Sequence, residues 1–166
     1  MCMTRATRLH VIQEVEQASG STIIAYIAGD RPPFPARIAD DGVRVLYEHL
    51  LRLSGEAGGR IAHLALFLYS RGGDASVPWR IVTMFREFCD EFSVIVAYRA
   101  HSAATMIALG ADKILMGPKA ELSPIDPSLR REAQQATGPA TEISVEDVRA
   151  YVEFLRDGLQ IKHEVA

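Results

Sequence analysis

Ser102 is the residue of this chain best placed for covalent chemistry. It lies in the segment Ala-His-Ser-Ala-Ala, residues 100–104, after a predicted strand and before an apolar helix. Such a turn exposes a hydroxyl, and the start of the helix offers backbone N–H groups and a positive dipole end to a developing oxyanion. Gly72 and Gly73 can supply the opposite wall of an oxyanion hole, because glycine lets backbone amides approach a substrate closely. These residues favour acyl transfer, most simply peptide-bond hydrolysis by a serine nucleophile.

The bulk composition sets broad limits on what the chain can do. A length of 166 residues predicts a single domain, 1–166, with its own core. The net charge of −3 provides no basic field, so we predict no nucleic-acid partner. Cys2 and Cys89 have neither metal-site spacing nor a disulfide framework, which predicts reduced thiols and no metal. The apolar runs are shorter than the roughly 20 residues of a membrane span, and no signal peptide is evident, so we expect a cytoplasmic protein.

Alternating helices and strands are predicted to position these groups. The spacing of apolar residues predicts helices over about 4–18, 40–53, 78–91 and 102–109, and strands over 22–28, 61–69, 94–98 and 113–116. The run 61–69 is apolar except for His63, which is typical of a parallel strand covered on both faces and predicts a core histidine. The order predicts an α/β fold with a parallel sheet and right-handed crossovers. One aromatic stripe, buried in the core or facing another subunit, is expected at Trp79, Phe85, Phe88 and Phe92.

The C-terminal quarter carries weaker signals. A proline-rich loop follows Gly117, and the polar segment 130–141 has little apolar surface to bury. Ser144 and Asp147 form a variant of the capping box, which predicts a final helix over about 144–158. The chain ends shortly after Lys162, which suggests that a C-terminal portion is missing.

Three segments, in this order, resemble the serine dehydrogenase proteinase family. They are Leu-Phe-Leu-Tyr-Ser-Arg-Gly-Gly-Asp at 66–74, the segment 100–114 around Ser102, and Met-Gly-Pro through Leu-Ser-Pro-Ile-Asp-Pro at 116–127. That family belongs to the signal peptide peptidase A and Clp protease superfamily, and the resemblance covers about residues 20 to 160. It implies a ClpP/crotonase-type fold of stacked β-β-α units with a mainly parallel sheet flanked by helices. It also implies ring- or dome-shaped homo-oligomers that cleave peptide or protein substrates without a cofactor.

The resemblance also implies roles for individual residues. Ser102 would be the nucleophile, and the backbone amides of Gly72, Gly73 and Ala103 would bind the oxyanion. The general base is less evident, although a serine hydroxyl needs a group that accepts its proton. Two candidates lie in the loop after the Ser102 segment, Lys119 and Asp126.

Neither usual base of the superfamily has a counterpart at the expected spacing. Clp proteases place a histidine roughly 25 residues after the serine, and signal peptide peptidase A relatives place a lysine roughly 40 to 50 residues after it. The corresponding windows, 125–127 and 142–152, contain no histidine and no lysine, respectively. Lys162 and a group from another subunit therefore stay open as bases. A carboxylate such as Asp126, with an ordinary pKa near 4, is a weak base for serine.

Two other functions are compatible with these residues. The missing base favours a catalytically inactive member that serves as an oligomeric scaffold or peptide-binding platform. The fold is also compatible with crotonase-like acyl-CoA chemistry, which uses paired backbone amides as well. That chemistry leaves Ser102 without a purpose, and no carboxylate is placed for an enolate.

Overall fold

The computed structural model describes residues 4–33, 35–125, 128–130 and 142–144. Contacts between Cα atoms divide the chain into two units, Met1–Ile125 and Asp126–Ala166. The first unit contains Ser102, both glycines of the predicted oxyanion hole, and Lys119. Asp126 and Lys162 lie outside the described residues.

A four-stranded parallel sheet forms the centre of the first unit. Its described helices are α1 (Arg5–Ser19), α2 (Asp40–Ala57), α3 (Val77–Phe88) and α4 (Ala103–Leu109). Its described strands are β1 (Thr22–Ile27), β2 (Ile61–Tyr69), β3 (Cys89–Val96), β4 (Arg99–Ala100), β5 (Lys113–Met116) and β6 (Glu121–Leu122). The large sheet has the order β1-β2-β3-β5, and β4 pairs with β6. The predicted α/β class, with a helix-flanked parallel sheet, is confirmed.

The core lies between one face of this sheet and helices α2, α3 and α4. Strand β2 runs through the interior of the sheet, where Leu66 pairs with Ile24 on β1 and Val94 on β3. Alternate residues of a strand share a face, and on this face of β2 they are fully buried leucines. The helices bury Leu50, Phe85 and Ile107 against them. Burial of one such side chain stabilises the fold by roughly 1.5–3 kcal/mol.

Helix α1 packs more loosely than the other helices. None of its residues is buried, and with β1 and β2 it forms a cleft whose apolar lining includes Val11, Ile12, Val15 and Phe67. Gly20 ends the helix in the left-handed conformation, at φ 64°, and donates its N–H to Glu16 O at 2.8 Å. Within the described ranges, no helix is long and apolar enough to cross a membrane.

Strand β3 begins earlier than the sequence pattern indicated. Helix α3 ends at Phe88, and the strand predicted from residue 94 starts at Cys89. Pairing explains the shift, because Ile61 at the start of β2 lies opposite Cys89 in the parallel ladder. The ladder therefore includes Asp90 and Glu91, two polar residues that the apolar pattern left out.

The prediction that His63 is a core histidine is wrong. The His63 side chain is 56% exposed, and its Nδ1 lies 3.7 Å from Glu91 Oε1. His63 is not a core histidine, because it lies near the start of β2, opposite the charged residue Glu91 on β3. The aromatic residues predicted to be buried or to face another subunit lie in two environments. Phe85 and Phe92 are fully buried in this chain, while Trp79 is 76% exposed.

In the second unit, two short strands are described. Strand β7 (Ser128–Arg130) pairs antiparallel with β8 (Glu142–Ser144), and Ser128 lies opposite Ser144. Ser144 is therefore a strand residue rather than the first residue of a helix. The remainder of the helix predicted over 144–158 lies outside the described residues.

The core assignment predicts unequal costs for removing two aromatic side chains of α3. Phe85→Ala should lower the free energy of unfolding by about 3–5 kcal/mol, because it leaves a cavity beside Phe92. Trp79→Ala should change it by no more than about 0.5 kcal/mol in the monomer, because the indole is exposed. Urea unfolding followed by circular dichroism measures both, and equal losses would contradict this assignment.

Candidate functional site

Two backbone hydrogen bonds join the turn after β2 to the turn before α4. Ser70 N–H donates to Arg99 O, and His101 N–H donates to Ser70 O, each at 3.0 Å. These turns follow neighbouring parallel strands, β2 and β3, whose carboxyl ends meet at one edge of the sheet. Ligands of open α/β sheets bind at this edge. The fold thus brings the glycine turn, 72–73, next to Ser102.

The backbone of Ser102 adopts an uncommon conformation. Its φ is 51° and its ψ is −116°, and no other non-glycine residue in the described part of the chain has a positive φ. Residues with a side chain are held in such regions only when their surroundings enforce it, at a cost of order 1–3 kcal/mol. The Ser102 hydroxyl makes no capping hydrogen bond to α4, although Ser102 occupies the N-cap position. The turn therefore leaves this hydroxyl unused by the helix.

Gly72 allows the two turns to approach each other. Its φ is 111°, a conformation that residues with a side chain rarely adopt. A Cβ atom at this position would lie 2.8 Å from Ser102 Cβ and 3.3 Å from Ser102 Oγ. The position thus requires glycine for its backbone angle and for the space beside Ser102.

Gly73 is held by a second close backbone approach, to Ile38. Ile38 N–H donates to Gly72 O at 2.9 Å, and Asp74 N–H donates to Ile38 O at 2.8 Å. A Cβ atom on Gly73 would overlap Ile38 O, only 2.0 Å away. Ile38, which is fully buried, was not singled out from the sequence. These two backbone hydrogen bonds of Ile38 hold the glycine turn in place.

The backbone amides predicted to bind an oxyanion differ in their availability. Gly72 N–H donates to Ser70 Oγ at 3.0 Å, and Ser70 is fully buried. The N–H groups of Gly73 and Ala103, by contrast, have no acceptor among the residues described. Within the described ranges, two of the three amides thus have no hydrogen-bond acceptor.

A loop serine that sequence reasoning missed contacts the Ser102 backbone. Ser102 N–H donates to Ser123 Oγ at 2.7 Å. Ser123 N–H donates to Thr105 Oγ1 at 3.2 Å, and the Thr105 hydroxyl donates to Ala100 O at 2.6 Å. The only sequence signal was the position of Ser123 within the Leu-Ser-Pro part of the 116–127 segment. These bonds tie the loop after β5 to the turn that carries Ser102.

Charged groups flank the turn without contacting the Ser102 hydroxyl. Glu121 Oε1 accepts from Arg99 Nε at 2.6 Å and lies 3.1 Å from His101 Nε2. The hydrogen bond from Arg99 lowers the pKa of Glu121 below its ordinary value. The His101 ring contacts Glu121 through Nε2, and among the described residues no hydrogen bond joins the ring to its neighbour Ser102.

A second charged cluster lies at the end of β2. Arg71 Nε donates to Asp30 Oδ2 at 2.7 Å. A hydrogen bond from the Tyr69 hydroxyl, together with one from Arg71, lowers the pKa of Asp30, and the same Asp30 contact raises the pKa of Tyr69. Tyr69 also stacks on Tyr98 with ring centroids 6.1 Å apart. These contacts fix the strand end from which the glycine turn departs.

Of the two candidate bases, the structure describes only Lys119, which makes no hydrogen bond to Ser102. Lys119 is exposed, in the turn closed by the Ala120 N–H bond to Gly117 O at 2.9 Å. No hydrogen bond joins Lys119 to another described residue. Asp126 lies outside the described residues. Within the described ranges, no group of three or more His, Cys, Asp or Glu side chains could hold a metal ion.

Comparison with known sequences identifies relatives of this chain. Residues 47–145 match the family described as ClpP-like SDH-type serine proteinase. Two uncharacterized proteins of Methanocaldococcus jannaschii are 28% and 30% identical over 129 residues, 74% of this chain. The chain spans 42% and 43% of their lengths.

Solved structures of other proteases resemble the fold of this chain. Two mutants of the 1510-N membrane-bound stomatin-specific protease, one in complex with a substrate peptide, match with a TM-score of 0.55 at 19% and 20% identity. Each match covers 84% of this chain, and 63% and 59% of the two protease chains. The ClpP protease catalytic domain of Plasmodium falciparum matches with a TM-score of 0.50 at 15% identity, over 78% of this chain and 64% of that one. The predicted family resemblance and ClpP-like fold are confirmed.

The close approach at Gly72 predicts a large effect of a single methyl group. Gly72→Ala should lower the free energy of unfolding by about 1–3 kcal/mol for the unfavourable φ alone. Overlap of the new Cβ atom with Ser102 should add to this loss. Gly55→Ala is the matched control, because Gly55 lies in α2 with open space around it and should gain up to about 1 kcal/mol. Equal stability of the two variants in urea unfolding would refute the close approach.

Proposed function

Because the chain belongs to the ClpP-like SDH-type serine proteinase family, we propose that it is a serine peptidase with Ser102 as its nucleophile. The observation that carries this proposal is the positive φ of Ser102 beside the Gly72 backbone. A serine on a strained turn between a strand and a helix is the arrangement that presents a nucleophile in other α/β hydrolases. Ser102 Oγ would attack the carbonyl carbon of the scissile peptide bond.

The oxyanion of the tetrahedral intermediate would be bound by two backbone amides. Gly73 and Ala103 are assigned this role, because their N–H groups have no acceptor within the described residues. Gly72 N–H is already bonded to Ser70, so Gly72 would contribute space rather than a donor. Loss of one such donor typically costs about 10²–10³ in rate, because donors fixed in advance need no reorganisation during the reaction.

Proton transfer completes the reaction. The base takes the Ser102 hydroxyl proton during attack and returns it to the leaving amine as the C–N bond breaks. Water then attacks the acyl-enzyme ester, with the same group as its base, and restores the serine. We assign the base to Lys119 and a loop-orienting role to Asp126. Lys119 is four positions from Ser123, which is bonded to the Ser102 backbone.

The same proposal includes peptide or protein substrates. It also includes assembly of identical subunits into a ring or dome. We place Trp79 at the subunit contacts, because its indole is 76% exposed in the monomer and available to pack against a second copy. The cytoplasmic location stays a prediction.

The competing hypothesis is a scaffold without activity. It is favoured by the lack of a hydrogen-bond partner for Ser102 Oγ among the described residues.

Covalent labelling by a fluorophosphonate tests the nucleophile. The wild-type protein should gain the mass of one adduct, and Ser102→Ala should gain none, because only an activated serine reacts. Ser54→Ala removes a hydroxyl far along the chain, on α2, and should be labelled like wild type. Intact-mass spectrometry of folded samples reads the result. No adduct on wild type, together with no peptide cleavage, would favour the scaffold.

The labelling rates of variants that lack one candidate group test the base. Lys119→Ala should lower the labelling rate by about 10²–10⁴, because Ser102 then lacks the group that accepts its proton. Lys113→Ala serves as the control, because that ammonium pairs with Glu91 at 2.8 Å. If Asp126→Asn, rather than Lys119→Ala, causes this loss of labelling rate, the assignments of base and orienting group are reversed.

A further inference from the structure

We propose that Ser123 is a positioning residue that holds the backbone turn presenting Ser102. Its hydroxyl oxygen accepts the Ser102 N–H at 2.7 Å. The inference rests on the proposed role of Ser102 as nucleophile. It adds a residue to which neither the family match nor the sequence motifs assign a function.

The Ser102 N–H needs an external partner. The first N–H groups of a helix have no acceptor within the helix, and Ser102 occupies the N-cap position of α4. A part-buried donor left without an acceptor destabilises the conformation that buries it. Ser123 Oγ satisfies this donor in the backbone geometry seen here, with φ at 51°. The hydrogen bond thus favours the strained turn over a relaxed one.

The acceptor itself is oriented by its other contacts. The Ser123 hydroxyl donates its own hydrogen to Pro124 O at 2.9 Å, so a lone pair of the oxygen faces Ser102 N–H. Ser123 N–H donates to Thr105 Oγ1, and Thr105 is only 4% exposed. The Thr105 hydroxyl donates to Ala100 O, two residues before Ser102. Ser123 is therefore held by residues on both sides of the turn that it supports.

This contact also determines which amide is left for the substrate. With Ser102 N–H bonded to Ser123 and Ala104 N–H bonded to His101 O at 2.9 Å, the N–H of Ala103 lies between two occupied donors. Release of Ser102 N–H would let the backbone relax to a negative φ. Relaxation would move Ser102 Oγ from its place beside Gly72 and reorient the peptide unit that carries the Ala103 N–H.

The test compares Ser123→Ala with Ser54→Ala in the full chain. Ser54 also uses its hydroxyl on a backbone group, donating to Gly59 O at 2.7 Å, but in α2. Amide hydrogen exchange at Ser102, measured by NMR, should become at least tenfold faster in Ser123→Ala and stay unchanged in Ser54→Ala. The maximal rate of fluorophosphonate labelling should fall at least tenfold in Ser123→Ala, with little change in the half-saturating probe concentration. Ser123→Thr, which keeps the hydroxyl, should restore both.

The two readouts separate failure of this proposal from failure of the peptidase proposal. Absence of labelling on wild-type Ser102 would refute the nucleophile, while amide exchange still decides whether Ser123 holds the turn. Exchange and labelling in Ser123→Ala equal to those of Ser54→Ala would overturn the positioning role. If Ser123→Ala does not fold, Ser123→Cys replaces it, because a thiol at the same position is a poorer acceptor. Wild-type exchange in that variant would likewise overturn the proposal.

Discussion

The contact between the Gly72 backbone and the Ser102 side chain is the constraint on which the site depends. It brings together two turns that are thirty positions apart in the chain and leaves no room for a Cβ atom on the glycine. The contact exists because Ser70 exchanges backbone hydrogen bonds with Arg99 and His101. These bonds in turn require β2 and β3 to be adjacent and parallel, so that their carboxyl ends reach the same edge of the sheet.

Hydrogen bonding to neighbouring loops holds this contact in place. On one side, Ile38 bonds to the backbone on both sides of Gly73. On the other side, Ser123 bonds to Ser102 N–H, and Glu121 N–H donates to Tyr98 O at 2.7 Å. A non-glycine residue keeps a positive φ only when several contacts oppose its relaxation. The loops before α2 and after β5 provide those contacts, which gives both loops a function in shaping the site.

Most elements of the fold could be predicted because their residues carry a local signal. The strands Ile61–Tyr69 and Lys113–Met116 have the predicted bounds, since apolar runs between turn residues specify them. The start of β3 could not be predicted, because its first residues are polar and are recruited by pairing with β2. His63 was misassigned for a related reason. The apolar residues around His63 do not show whether other elements of the fold cover that end of the strand.

The sequence by itself determined which residues could do chemistry and roughly where they lie on the elements. A serine between a strand and an apolar helix, and two glycines after the strongest strand, are properties of neighbouring residues along the chain. The tertiary structure alone decided how the polar groups are paired. Gly72 N–H donates to Ser70 and Ser102 N–H donates to Ser123, while the N–H groups of Gly73 and Ala103 have no acceptor in the part of the chain that the structure describes. The physical reason is that a hydrogen bond forms over about 3 Å in space, whereas its partners here are up to 21 positions apart in the chain.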